Sequence, residues 1–208
     1  MEDVLAVYAR AFDAKRPLVC LDETTKQLVK ETRAPLPAAP GRPVCIDYEY
    51  ERNGVATLFM LCAPLHGWRH VCVGETKTRV DYAQCLRALA EEHFPSAEKI
   101  ILVQDNLNTH EPASLYHAFA PEKARALIER FEFHYTPKHA SWLNLAECEL
   151  SALSRQCLHR RIPDQASLTR EIRAWERQRN QNTTKLHWRF TTADARIKLN
   201  RLYPSFHA

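Results

Sequence analysis

Two periodicities, one of strands and one of helices, alternate along this chain, and the places where one gives way to the other mark its elements. Pro17-Leu-Val-Cys-Leu21 is a short apolar run closed by Asp22-Glu23, which predicts a buried strand ending at those acids. Arg33 to Pro43 holds four prolines in eleven residues, so it is an extended, semi-rigid loop. Residues 44–51 alternate loosely, Asn53-Gly54 is a strong hairpin signal, and Val55 to Ala63 reads as the returning strand. A further antiparallel strand follows from Trp68 to Val73. Helical spacing of Ala83, Leu86, Leu89 and Ala90 predicts a helix over 81–94, stopped by Pro95. Lys99-Ile-Ile-Leu-Val-Gln104 is a buried strand running into Asp105-Asn106. Helical stretches at 112–119 and 121–130, a strand at 131–135, and helices at 142–159, 165–180 and 192–200 complete the order. The result is an α/β chain, a mixed sheet with helices packed on its faces.

Composition narrows the class without naming it. The chain has 208 residues, 45% of them hydrophobic and 26% charged, a composition that folds. No apolar run reaches the ~18 residues of a membrane span, and the start is acidic, unlike a signal peptide. Seven cysteines, with no Cys-x-x-Cys pair, support neither a disulfide framework nor a zinc ribbon, so a reducing cytoplasm is expected. The net charge of +4 hides an asymmetry: residues 155–208 carry 12 of the 29 basic side chains but only 4 of the 25 acidic ones. A basic tail of this kind either faces solvent or lies against phosphate.

Three acids stand out by position. Asp22 and Asp105 close two apolar strands, and Glu147 lies early on the helix after the last strand. If those strands are neighbours, both aspartates share one sheet edge, and a helix crossing that edge can add the glutamate. Clustered carboxylates repel one another unless cations neutralise them, and an all-oxygen set suits Mg²⁺ or Mn²⁺. Two such ions ~4 Å apart activate an attacking oxygen and stabilise a leaving one at a phosphodiester. Glu149 is the rival third acid. It lies about 160° from Glu147 around the helix, so periodicity leaves both open.

Val-Gln-Asp105-Asn106-Leu-Asn-Thr-His110, with Cys-Leu-Asp22-Glu-Thr upstream and His134-Tyr-Thr-Pro-Lys-His-Ala-Ser-Trp142-Leu-Asn144-Leu-Ala-Glu147 downstream, resembles an Asp-Asp-Glu transposase. More narrowly, the chain is similar to the catalytic domain of bacterial insertion-sequence transposases of the mariner-related superfamily, from about Arg16 to the end. The resemblance implies a ribonuclease H-like fold, two Mg²⁺ ions held by Asp22, Asp105 and Glu147, and cleavage and strand transfer of double-stranded DNA. It prefers Glu147 over Glu149 through the Asn-x-x-Glu context, and it places the protein in the bacterial cytoplasm, at the nucleoid, as a homodimer assembled on DNA. Two departures stand out. The 41 residues between Asp105 and Glu147 exceed the usual gap, leaving room for the helices at 112–130. The family's helix-turn-helix recognition region also has no counterpart in the short N-terminal helix. The resemblance therefore implies a truncated element or the second frame of a split gene, with recognition supplied by an upstream frame or separate subunit. The expected organisation is an N-terminal helix and linker over 1–15, the catalytic domain over 16–162 and a basic helical extension over 163–208. A catalytically silent DNA-binding remnant and a ribonuclease H-like nuclease without strand transfer are the alternatives.

Around the acids, Asn106, His110 and Asn144 are expected to orient substrate or support the ligands, although a plain helix-entry role also fits His110. Lys138, Arg155, Arg160 and Arg161 are candidate phosphate contacts. Asp47 and Glu49 read as the exposed face of a strand, and Trp142 as a buried aromatic at a helix start, with stacking on a base as its other role.

Overall fold

Ile100–Gln104, apolar at four of its five positions, forms a strand that is buried along its whole length, and the sheet is built around it. In the computed structural model, which describes residues 1–203, the strands are β1 (Leu18–Glu31), β2 (Tyr50–Ala63), β3 (Trp68–Gly74), β4 (Ile100–Gln104) and β5 (Phe131–Tyr135). Residues 204–208, the end of the expected basic extension, lie outside the described residues. The sheet order is β3-β2-β1-β4-β5. β1, β2 and β3 pair antiparallel, whereas β4 is parallel to both β1 and β5. This is the mixed sheet that the sequence predicts.

Alternation sorts the core into two layers. Cys20, Met60, Ile101 and Val103 face one side, where they meet α1 (Glu2–Tyr8), α4 (Ala146–Leu153), α5 (Gln165–Gln181) and α6 (Thr192–Lys198). Val19, Leu21, Leu61, Ile100 and Leu102 face the other, covered by α2 (Arg79–Ala88) and α3 (Pro121–Glu129). Leu168, Ile172 and Trp175 are the buried side of α5, as their spacing predicts. Among the described residues no helix is long and apolar enough to cross a membrane, and all seven cysteines are free.

Two expectations change. Asn53-Gly54 is not a turn, because both residues lie within β2. Gln27 pairs with Val55 but Val29 pairs with Arg52, so β2 carries one extra residue, and Gly54 takes it up at φ +90° as a bulge. The chain reverses through the proline-rich segment 32–49 instead, an arm closed by bridges Leu36–Cys45 and Ala39–Arg42, with Gly41 at φ +74°. The strand expected over 44–51 therefore begins only at Tyr50, and Asp47 and Glu49 belong to the arm.

Gly67, in the tight β2–β3 connection, has φ +73°, and a Cβ there would stand 2.6 Å from the Thr183 carbonyl oxygen. Gly67→Ala is expected to cost about 2 kcal/mol, from left-handed backbone strain plus that clash. The midpoint of urea unfolding against the parent chain measures it.

Candidate active site

The site is organised by the point where β1 outlives β4. Their parallel pairing stops at Cys20–Val103, while β1 runs on beside β2, with Asp22 opposite Met60. Asp22 therefore does not end its strand, as the apolar run predicts. Antiparallel pairing carries β1 past the acid, and only its β4 side falls open. By alternation Asp22 shares the face of Cys20, the face covered by α4.

The Asn144 side chain bridges the gap. Its Nδ2 donates to the Leu21 carbonyl oxygen at 2.8 Å and to Asp22 Oδ2 at 3.1 Å, while its Oδ1 accepts from the Ala146 amide at 3.1 Å. One buried side chain thus ties the acid-bearing strand to the first turn of α4. Glu147 stands in that turn, exposed, beside Asp22. Asp22 is only 8% exposed and has no cationic partner among the described residues. Burial, then the charges of Glu147, Asp105 and Glu23, push its carboxyl up to about 7, against the pull of the Glu23 amide donating to Oδ1 at 2.8 Å. A buried acid raised by its acidic neighbours and lacking a cation is an arrangement that a divalent metal completes.

Asp105 follows β4 directly. His110 Nδ1 lies 2.5 Å from Asp105 Oδ1, and the Leu107 amide donates to the same oxygen at 3.3 Å. Burial alone would raise Asp105, but the His110 hydrogen bond and charge, the Leu107 amide and Lys77 together hold it below the usual carboxylate range. His110 is fully buried, its ring 4.9 Å from that of Tyr82, and its Nε2 approaches Glu23 Oε2 at 3.4 Å. Its carbonyl oxygen accepts from Gln104 Nε2 at 2.7 Å. Glu23, Asp105 and His110 each place one ligand atom within 4.8 Å of the others. Glu23 is the residue that sequence reasoning missed. The signal was available: next to Asp22 on a strand, it must point to the opposite face, where the Asp105–His110 loop closes.

The rival acid is used elsewhere. Glu149 is buried, with Oε1 2.9 Å from Arg69 Nη2 and both oxygens held by Arg179 at 2.9 Å. Arg69 is itself fully buried. Helix geometry separates the two glutamates as expected, and these arginines take Glu149 away from Asp22.

The basic candidates divide. Lys138 is exposed on the wall of a cleft of about 470 Å³ that also includes Asp105, Asn106, Thr136 and His139. Arg155 is exposed and donates from Nε to the Ser151 carbonyl oxygen at 3.3 Å. Arg160 is paired with Glu171. Arg161 does not face open solvent as a phosphate contact should: it binds Glu31 at 2.6 Å and the Asp47 carbonyl oxygen at 2.9 Å, and it covers the Tyr50 ring. It fastens the arm to the sheet. Trp142 departs from its expected burial, being 45% exposed with its ring stacked on Trp188 at 6.2 Å.

A mixed sheet in the order β3-β2-β1-β4-β5, with one aspartate on the central strand and another just past its parallel neighbour, defines a ribonuclease H-like fold. The signature of the DDE superfamily endonucleases matches residues 17–169, and the chain belongs to that family. Among solved structures, the Mos1 mariner paired-end complex with Mn is similar over 88% of this chain and 55% of that one, at 20% identity and a TM-score of 0.56. The Mos1 strand transfer complex is similar over 88% and 58%, at 16% identity and 0.57. A simian T-cell lymphotropic virus intasome is similar over 78% and 50%, at 10% identity and 0.50. At these identities the likeness is one of fold, and the chain spans little more than half the length of the Mos1 chains. No curated protein matches it significantly.

Two expectations about stability follow. Glu149→Gln leaves Arg69 buried with a weakened partner and is expected to cost about 3 kcal/mol, whereas Glu147→Gln, at an exposed position, changes stability by under about 0.5 kcal/mol. Chemical denaturation of both variants checks this. Asp22 has a folded pKa above its unfolded value, so its contribution to stability is full below about pH 4 and lost as pH rises through about 7. Asp22→Asn is therefore expected to raise the melting temperature of metal-free protein at pH 8 and to leave it nearly unchanged at pH 4.

Proposed function

We propose that this chain is the catalytic domain of a transposase, cutting and rejoining double-stranded DNA with Asp22, Asp105 and Glu147 as the ligands of two Mg²⁺ ions. Mn²⁺ substitutes, since the donors are carboxylate oxygens. One observation carries the reading: Asp22 is a buried acid without a cation, destabilised by Glu147 and Asp105 and held in place by Asn144. The domain is read as residues 16–162, with the basic extension packed on it. Reading of the element's ends is assigned to a helix-turn-helix region outside this domain, and assembly on DNA to a homodimer.

The side chains divide the work. Asn144 fixes Asp22 Oδ2 and, through Ala146, the start of the helix that presents Glu147. His110 and the Leu107 amide both occupy Asp105 Oδ1, so Oδ2 has no partner among the described hydrogen bonds and is free to ligate. Lys138, on the wall of the Asp105 cleft, is placed to take a phosphate oxygen of the bound strand, with Asn106 exposed beside it. Bound divalent ions would lower the pKa of an attacking water or 3′-hydroxyl and neutralise the leaving oxygen. No protein base is then required, and the buried His110 is kept for Asp105.

Asp22→Asn, Asp105→Asn and Glu147→Gln are each expected to reduce Mg²⁺-dependent strand cleavage by at least about 10³-fold while leaving duplex binding intact. Gel assays with a supercoiled plasmid and with pre-cleaved ends measure cleavage and strand transfer separately. Full activity in any one variant would sink the assignment. Cleavage without joining would make the chain a nuclease.

A further inference from the structure

Along α5, the free positive charge gathers on the outer face of the helix. Both acids within α5 are turned inward and engaged: Glu171 with Arg160, and Glu176 with His70 Nδ1 at 3.0 Å and the Val71 amide at 3.1 Å. Asp164, at its N-cap, feels the Arg170 charge, but its carboxylate is held by the Ser167 amide at 2.7 Å and hydroxyl at 3.2 Å, and no ion pair forms. What remains outward is a single stripe. Arg170, Arg173 and Arg177 lie within about 60° of one another around the helix and span about 10 Å of its axis. All three are exposed, and none makes a hydrogen bond or ion pair among the described residues. They border a shallow groove of about 570 Å³ whose other walls, Gln165, Ala166 and Thr169, are short or flexible enough to admit a backbone.

We infer that Arg170, Arg173 and Arg177 form a docking strip for the phosphodiester backbone of duplex DNA, separate from the acid cleft. One strand of a duplex presents a phosphate about every 3.4 Å of axis, so three arginines over about 10 Å meet a comparable run of phosphates. The absence of acids from this face makes it complementary to a continuous polyanion. Contacts of this kind carry no sequence information and hold the substrate in register for chemistry elsewhere. The choice of DNA as the polyanion rests on the proposed function, but the strip itself rests on geometry alone.

The test is fluorescence anisotropy with a random-sequence duplex, without divalent metal, across about 50–200 mM KCl. The triple variant Arg170→Gln, Arg173→Gln, Arg177→Gln is expected to flatten the slope of log affinity against log salt by about 2 to 3, at roughly 0.9 for each phosphate no longer neutralised. Its melting temperature should match that of the parent, because the three side chains hold nothing in the fold. The triple lysine variant should keep most of the slope, and Arg125→Gln, on the opposite helical layer, should keep all of it. An unchanged slope in the glutamine variant overturns the inference. So does tighter binding of single-stranded RNA or polyglutamate than of duplex at equal salt, or failure of the parent chain to bind duplex at low salt. Failure of the cleavage reading is seen separately, as no nicking of the same duplex by the parent chain when Mg²⁺ is added.

Discussion

A single amide side chain holds this active-site edge together. Where β4 ends, the Leu21 carbonyl of β1 has lost its next parallel partner, and a buried carbonyl left unpaired costs about as much as a missing hydrogen bond. Asn144 Nδ2 supplies that partner and in the same geometry donates to Asp22 Oδ2, while its Oδ1 anchors the start of α4. Sheet closure, placement of the first acid and placement of the helix bearing Glu147 are thus one constraint rather than three. A carboxamide meets it because it offers two donors and an acceptor on one short stem.

The two faces of β1 divide the remaining tasks. Asp22 projects to the α4 side, and Glu23 to the α2 side, where His110 is packed against Tyr82 and Phe59. His110 therefore reaches Asp105 from beneath, through the aromatic layer of the core, while the cleft above stays open. Rigidity at the site is borrowed from the sheet's hydrophobic packing. Substituting Asp105's neighbours would disturb the acid chiefly through that layer.

Much of this was legible in the sequence because it is local. The bounds of β5 and α5, and the apolar run of β4, follow from periodicity that packing does not override. What was not legible depends on partners distant in the chain. Thr24, Lys26 and Gln27 interrupt the apolar run after Leu21, so nothing local announces that β1 continues to Glu31; β2 decides it by pairing. Asn53-Gly54 carries the composition of a turn, but the cross-strand register makes it a bulge. Glu147 and Glu149 are equivalent by helical geometry, and they separate only because Arg69 and Arg179, 80 and 30 residues from Glu149, converge on one of them.

The same lesson applies to charge. The basic excess of residues 155–208 reads from composition as affinity for phosphate, yet much of it is internal fastening. Arg161 ties the arm to Glu31, Arg179 closes over Glu149, and Arg196 grips Glu2 with two hydrogen bonds of 2.8 Å. Each of these pairs joins the C-terminal quarter to the acidic body, so the asymmetry between the two regions is partly the complementarity by which they pack. How much charge remains available to a ligand depends on where the fold turns the acids, and that is a property of helix faces and partners, invisible to a net count. Among the described residues, the outer face of α5 keeps three arginines free together, whereas beyond α4 Arg160 and Arg161 are already paired and Arg155 alone has no acidic partner.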